Sequence, residues 1–324
     1  MFGDKFVKGL MSRSSENDLD RRRFLQSAGA VGLGAAGVAA LGALPTAATA
    51  ATPAHAARAA AASDDAATAA APSDGAILNF ALNLEYLEGE FYHNAVKGHG
   101  LPGDLTHGKG GRGHVTGGRA VPFQSKVVKQ LAHEIAWDEQ THVHFLRKAL
   151  GGAKVGLPDI DIKNSFTAAA RAAGLIGAHQ TFDPYANENN FLLAAFIFED
   201  VGVTAYKGAA PLINNSAYLE AAAGILATEA YHASAIRTLL FERGLASAAD
   251  AISKARDSLD GKSNLDRGIL NKHGNFRVAP TNGSGGAFSR TPGEVLNIVY
   301  LNPKKVNKGG FFPSGVNGQL HTSS

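Results

Sequence analysis

The chain has 324 residues, a formal net charge of +3 and no cysteine, so disulfide bonds are excluded. Residues 1–56 carry six of the 31 Lys and Arg residues and four of the 28 Asp and Glu residues, which leaves the remainder close to neutral. This balance gives no basis for nucleic-acid binding by bulk charge. The length suits one large domain or two small ones.

The first 56 residues have the pattern of an export signal. Three arginines, Arg21 to Arg23, precede Phe24 and Leu25, and an apolar run rich in Ala and Gly follows over 28–44. We interpret residues 1–56 as a twin-arginine signal peptide and leader, and we therefore expect a periplasmic or secreted protein. The alternative is a membrane anchor, but the run is short and poor in large apolar residues.

Apolar residues recur at helical spacing in four long segments. The predicted helices cover about residues 74–97, 122–150, 189–210 and 217–243. A long connection over 153–187, with a short helix near 166–173, joins the second helix to the third. A bundle in which these two helices run parallel needs such a connection. The pattern predicts an all-α fold.

The rest of the chain is assigned around this bundle, which we predict to span residues 74–260, including a short fifth helix over 247–259. An Ala-rich linker at 57–73 precedes it. The Gly- and Pro-rich residues 261–324 form a predicted extended tail that packs on the bundle, with one strand-like piece over 295–301.

Residues 97–119 form a Gly-rich loop that contains three histidines. Lys109 lies among the glycines, but no Gly-Lys-Ser/Thr follows, so a phosphate-binding P-loop is excluded. We expect a flexible surface loop, and the alternative is a lid or an arm that collects metal ions.

Two copies of a Glu-x-x-His motif lie in the second and fourth predicted helices. Glu139 and His142 form the first pair, and Glu229 and His232 form the second. At 3.6 residues per turn, each pair lies on one helix face, where a carboxylate and an imidazole can reach the same metal ion.

The first and third predicted helices each contribute a further glutamate, Glu85 and Glu199. A tyrosine follows each glutamate by seven residues, at Tyr92 and Tyr206, which is the same face two turns later. One Glu from each of two helices and one Glu-x-x-His from each of the other two is the ligand set of ferritin-like bundles that bind two Fe or Mn ions.

Three further stretches carry a resemblance to a known family. They are ILNFALNLEYLE at 77–88, RTPGEVLNIVY at 290–300 and GGFFP at 309–313. The chain resembles, over about 74–318, the ferritin-like domain family that includes the plant desiccation-related proteins and their bacterial relatives. The resemblance implies a ferritin-like four-helix bundle with a long crossover and a possible site for two metal ions.

The expected roles follow from position in the motif. Glu85 and Glu199 are terminal ligands, and His142 and His232 are nitrogen ligands. Glu139 and Glu229 are bridging ligands.

Several neighbours of these ligands have open or different assignments. Tyr92 and Tyr206 are hydrogen-bond donors to the site or radical sinks, or else ordinary core tyrosines. Glu88, one turn after Glu85, is a candidate extra ligand. Glu90 lies about halfway round the helix from Glu85 and is expected to tolerate replacement, and Trp137 is expected to serve packing.

The leading function is redox chemistry on O2, peroxide or Fe²⁺ in an exported protein linked to stress protection. Its partners would be metal ions, small oxidants and the twin-arginine export machinery, in a chain with possible homo-oligomers. The alternative is a structural or protective cell-envelope protein with a non-catalytic metal site. Iron storage in a large shell is a third option that the long loop and tail disfavour.

Overall fold

The computed structural model describes residues 71–324, so the predicted signal peptide and nearly all of the linker lie outside the described residues. Four long helices dominate this part of the chain, and three shorter ones follow the second and fourth of them. In chain order they are α1 (Asp74–Lys97), α2 (Lys126–Leu150), α3 (Asn164–Ala172), α4 (Glu188–Ala209), α5 (Ser216–Glu242), α6 (Ala246–Asp257) and α7 (Pro292–Val299). The predicted all-α, ferritin-like fold is confirmed.

Side-chain caps set the starts of the long helices. Ser73 accepts a hydrogen bond from the backbone N–H of Ala76, and Gly98 ends α1 in the left-handed conformation. The prediction that α2 begins near Pro122 is wrong, because Ser125 is its N-cap and accepts from Val128. The carboxylate of Glu188 also accepts the N–H of Gln124 and holds this start beside α4.

The four long helices form two hairpins, α1 with α2 and α4 with α5, and α1 also contacts α4. The two members of each hairpin differ in burial. α1 is buried on every side from Ala76 to Ala95, and α4 is buried throughout Phe191–Tyr206. α2 and α5 bury a single face, as amphipathic surface helices do. α1 and α4 are therefore central helices.

The Gly-rich loop is held to the crossover rather than free. Two short parallel strands, β1 (Val115–Thr116) and β2 (Ile160–Asp161), join the two segments, and Lys109 bridges to Val155. A Cβ at Gly108 would collide with the backbone of Val155, so glycine permits the close approach. The expectation of a flexible loop is wrong for this pairing, which depends on contacts distant in sequence.

The C-terminal segment closes the core over α1 and α4. Phe311 and Phe312 are fully buried in the same apolar cluster as both central helices. The predicted strand over 295–301 is wrong, since Pro292–Val299 is helical with a capping box between Thr291 and Glu294. The predicted fifth helix spans Ala246–Asp257, and Leu245 occupies its N-cap position without a side-chain hydrogen bond.

A buried network of charged residues ties this segment to the bundle. It consists of three arginines and three aspartates: Arg237, Arg256, Arg290, Asp200, Asp260 and Asp266. Arg256 pairs with Asp200 at 2.9 Å and with Asp266 at 2.6 Å, and Arg290 pairs with Asp266 at 2.8 Å. Equal numbers of opposite charges make this burial tolerable. No helix within residues 71–324 has the length and apolarity needed to cross a membrane.

Candidate metal site

Side chains from the four long helices converge at the centre of the bundle. The structure brings together all six predicted ligands, Glu85, Glu139, His142, Glu199, Glu229 and His232, and each is buried. They divide into two groups whose ligand atoms lie within 4.8 Å of one another. The first contains Glu85, Glu139, His142 and Glu229, and the second contains Glu139, Glu199 and His232.

Nδ1 of His142 is the centre of the first group. It lies 3.2 Å from Oε2 of Glu85, 3.4 Å from Oε2 of Glu139 and 3.7 Å from Oε1 of Glu229. These ligand atoms come from three different helices, α1, α2 and α5. They could surround one ion from several sides, and Glu229 belongs to this group alone. Its bridging role stays a prediction.

Nδ1 of His232 is the centre of the second group. It lies 3.4 Å from Oε1 of Glu139 and 3.4 Å from Oε2 of Glu199. Glu139 therefore presents Oε2 to one histidine and Oε1 to the other. This is the arrangement that a carboxylate needs in order to bridge two neighbouring ions.

The two histidines differ in what holds their rings. Nε2 of His232 lies 3.0 Å from Oδ2 of Asp138, the residue before Glu139, and a carboxylate on the far nitrogen is a common partner of metal-binding histidines. Thr228 is in the matching place before Glu229, but its hydroxyl donates to the carbonyl of Gly224. Sequence reasoning missed Asp138, because the contact joins α2 to α5.

The two tyrosines contact the glutamates in a crossed manner. The Tyr92 hydroxyl donates to Glu199, and the Tyr206 hydroxyl donates to Glu85. Seven helical residues rise about 10.5 Å. Each tyrosine therefore reaches the glutamate of the opposite helix only if α1 and α4 run antiparallel. Burial raises the pKa of both phenols well above the ordinary value, so both remain donors.

The cluster contains buried polar atoms that lack hydrogen-bond partners. They are Oε2 of Glu85, Oε1 of Glu139, Oε2 of Glu199, both oxygens of Glu229 and Nδ1 of His232. Such atoms are costly in a protein interior, and here they all lie in one place. Carboxylate and imidazole ligands together suit Fe or Mn. The residues present fit a pair of such ions.

Burial and mutual proximity shift the pKa values of the ligand side chains in the protein without bound ions. Burial raises the pKa of Glu85 to about 7 and that of Glu229 well above its ordinary value. Burial also opposes ionisation of Glu139, but His142 and His232 outweigh it and hold its pKa below the usual range. Burial likewise disfavours protonation of His142, yet Glu85 and Glu139 raise its pKa to about 12.

A fifth buried carboxylate, Glu88, lies beside the cluster, and neighbouring Glu139 adds to the effect of burial in raising its pKa. Gly202 of α4 faces Glu88 and Glu229. A Cβ at position 202 would collide with Oε2 of Glu229 and lie 3.5 Å from Oε1 of Glu88. The expectation that Trp137 serves packing is wrong, since its side chain is 66% exposed. Glu90 is buried, and its tolerance of replacement stays a prediction.

Comparison with known proteins agrees with this geometry. The family model described as "Ferritin-like domain" matches residues 73–242, which include all six ligands. The chain is 30% identical over 269 residues to the desiccation-related protein PCC13-62 of Craterostigma plantagineum, covering 76% of this chain and 84% of that protein.

A second relative is the ferritin-like catalase Nec2 of Nesocodon mauritianus. It is 27% identical over 269 residues, which cover 75% of this chain and 83% of that protein. No solved structure matches the chain. The family match spans more than half of the chain and contains the four helices that supply the ligands. The chain belongs to the ferritin-like domain family.

Proposed function

We propose that this protein binds two Fe or Mn ions in the buried cluster and performs redox chemistry on peroxide, O2 or Fe²⁺. The observation that carries the proposal is the set of unpartnered carboxylate oxygens at the contact of four helices. Four ligand carboxylates bring a charge of −4 and two divalent ions bring +4. Ion binding would therefore balance the charge of ionised carboxylates in an interior where burial otherwise raises the pKa of Glu85 and Glu229.

The chain's own residues have separable tasks in this proposal. Glu139 holds both positions, and the tyrosine hydroxyls orient Glu85 and Glu199 through hydrogen bonds. Asp138 fixes the ring of His232 so that Nδ1 faces the cluster. The surrounding apolar core excludes bulk water. Bound ions would supply one-electron exchange with oxygen species.

Peroxide disproportionation, 2 H2O2 → 2 H2O + O2, is the reaction that we place first, because one relative is named a ferritin-like catalase. The assignment of Tyr92 and Tyr206 as radical sinks remains part of the proposal. Export through the twin-arginine route is likewise proposed from the Arg21-Arg22 motif, and a periplasmic location would place the protein where stress-derived oxidants arise.

A structural or protective role is the second candidate. The other relative is named a desiccation-related protein, and the buried Arg–Asp network ties the C-terminal segment to the bundle independently of the metal cluster. In that case the ions would stabilise the fold by mass action without turnover. The two candidates make different predictions for reactivity and the same prediction for binding.

Elemental analysis of purified protein, reconstituted with Fe²⁺ or Mn²⁺, tests the binding. The wild type should contain two ions per chain. Glu139→Gln should lose most of the metal, because Glu139 serves both groups, whereas Glu85→Gln should retain about one ion. Glu134→Gln is the matched control, an exposed glutamate on the same helix as Glu139, and it should match the wild type.

Oxygen release from peroxide then separates the two candidates. The loaded wild type should evolve O2, and both ligand variants should lose this activity. A wild type that binds two ions but turns over neither peroxide nor O2 would favour the protective role. A wild type that stays free of metal after reconstitution would contradict the proposed site altogether.

A further inference from the structure

A small apolar cavity lies beside the metal cluster, between α1, α4 and α7. Its wall contains Leu84 and Leu87 from α1, Val201 from α4 and Val299 from α7. The cavity volume, counted as the space in which the centre of a water molecule can lie, is about 20 Å³. This is enough for one small molecule. Glu88 is the single titratable residue in the wall.

Gly202 connects this cavity to the cluster. The glycine lines the cavity, and it also leaves the space in which Oε2 of Glu229 and Oε1 of Glu88 lie. Any larger residue at this position would separate the cavity from Glu229. Both oxygens of Glu229 lack hydrogen-bond partners, so the cavity adjoins an unsaturated part of the ligand set.

The roof of the cavity comes from the C-terminal segment. Ile298 and Val299 of α7 and the ring of Phe311 cover the outer side of α1 and α4 at this level. These residues lie beyond residue 242, where the match to the ferritin-like family model ends. The cavity is therefore a product of the four-helix bundle together with the segment that follows it.

We propose that this cavity is a binding site for dioxygen beside the metal cluster. An apolar wall favours an apolar diatomic molecule over water or peroxide, which would lose their hydrogen bonds there. The inference rests on the proposed function, in which dioxygen is either consumed or released. Its position places the molecule next to Glu229 and Glu88, with α7 and Phe311 shielding it from solvent.

Xenon is the probe for this site, because it binds dry apolar cavities of this kind. Crystals of the full-length protein under xenon pressure should show xenon between Leu87, Val201 and Val299. Val299→Leu adds a methylene group at the roof of the cavity and should abolish xenon binding there. Val299 is remote in sequence from every predicted ligand. Ala170→Val is the control, since it fills a separate cavity of about 30 Å³ between α3 and α6.

Oxidation of the Fe²⁺-loaded protein supplies the second readout. The assay reaction with dioxygen is 2 Fe²⁺ + O2 + 2 H⁺ → 2 Fe³⁺ + H2O2. Val299→Leu should slow oxidation by dioxygen several-fold and leave oxidation by hydrogen peroxide unchanged, while Ala170→Val should alter neither rate. Metal content must equal that of the wild type in both variants.

The outcomes are distinguishable from failure of the metal site itself. A wild type that binds two ions but shows no xenon in this cavity overturns the inference. Equal slowing with dioxygen and peroxide in Val299→Leu also overturns it, because that result reports general damage. Absence of metal from the wild type refutes the proposed function, and xenon in the cavity would then show an apolar void without an oxidant role.

Discussion

Glu90 is a buried carboxylate that lies outside the metal cluster. It is 1% exposed and accepts a hydrogen bond from the backbone N–H of Leu101 at 3.2 Å. Burial raises its pKa from 4.5 to about 7, although the bond from Leu101 opposes this shift. Because the folded-state pKa exceeds the unfolded one, its contribution to stability is complete below pH 4.5 and is lost as the pH rises through about 7.

Replacing Glu90 by Gln should therefore stabilise the protein increasingly as the pH rises above 4.5, with the full effect reached above about pH 7. The amide keeps an acceptor for Leu101 and cannot ionise. The free energy of unfolding should exceed that of the wild type by about 3 kcal/mol at pH 8, which is the energy of a shift of this size, and should nearly equal it at pH 4.5. Urea denaturation at the two pH values measures the difference.

The exposed Glu134 provides the control, since Glu134→Gln should change stability by less than about 0.5 kcal/mol at either pH. An equal effect of Glu90→Gln at both pH values would show that ionisation of Glu90 does not control its stability.

Residue identities at the site were predictable where the geometry is local. The i, i+3 spacing alone indicated that Glu139 and His142 share a face. Asp138 was missed because its partner, His232, lies 94 residues away. The burial of Glu90 was not predicted. The helical angle does place Glu90 on a different side of α1 from Glu85, but α1 has no side that faces solvent.

The contact of α4 with the C-terminal segment depends on a glycine. A Cβ at Gly208 would collide with the backbone carbonyl of Arg290, whose guanidinium belongs to the buried Arg–Asp network. The N–H of Arg290 also donates to the carbonyl of Thr204 at 3.0 Å. The segment can therefore cross α4 closely only where no side chain intervenes.

Gly208→Ala should destabilise the protein by about 1–3 kcal/mol or more, because backbone atoms must move to accept the methyl group. Gly224→Ala is the matched control. Gly224 lies within α5 with no atom near the added methyl group, so this change should stabilise by about 0.5–1 kcal/mol through helix propensity. Thermal unfolding of the two variants decides between them, and equal effects would contradict the close crossing.

Helical periodicity predicted the four long elements because each has a sustained apolar face or core. It failed for α7, whose eight residues are too few to show either period clearly. The capping residues Thr291 and Glu294, with Pro292 between them, were the usable signal. The pairing of β1 with β2 had no such local signal, because each strand has two residues.

At the scale of the whole molecule, ion binding at the proposed site should be coupled to the protonation of the cluster. Burial raises the pKa of Glu85 to about 7, and Glu85 and Glu139 raise that of His142 to about 12. Ions need ionised carboxylates and neutral imidazole nitrogens, so binding must displace protons from the ion-free protein. Affinity should therefore increase as the pH rises through about 7.

Calorimetric titration of Mn²⁺ into ion-free protein tests this coupling. At pH 6, 7 and 8, in buffers of different ionisation enthalpy, the apparent enthalpy should depend on the buffer, and the slope gives the protons released. Release should be greatest at pH 6, where Glu85 is still protonated. Binding that is independent of both pH and buffer would contradict a crowded, protonated cluster.

The last residues of the chain are part of the core assembly. Phe311 and Phe312 are fully buried, and the N–H of Ser323 donates to the carbonyl of Val306 at 2.8 Å. The apolar core over α1 and α4 closes only when this segment docks. The N–H of Asn317 donates to Oδ1 of Asn83, which lies 234 residues earlier, so contacts between such distant residues should limit the folding rate.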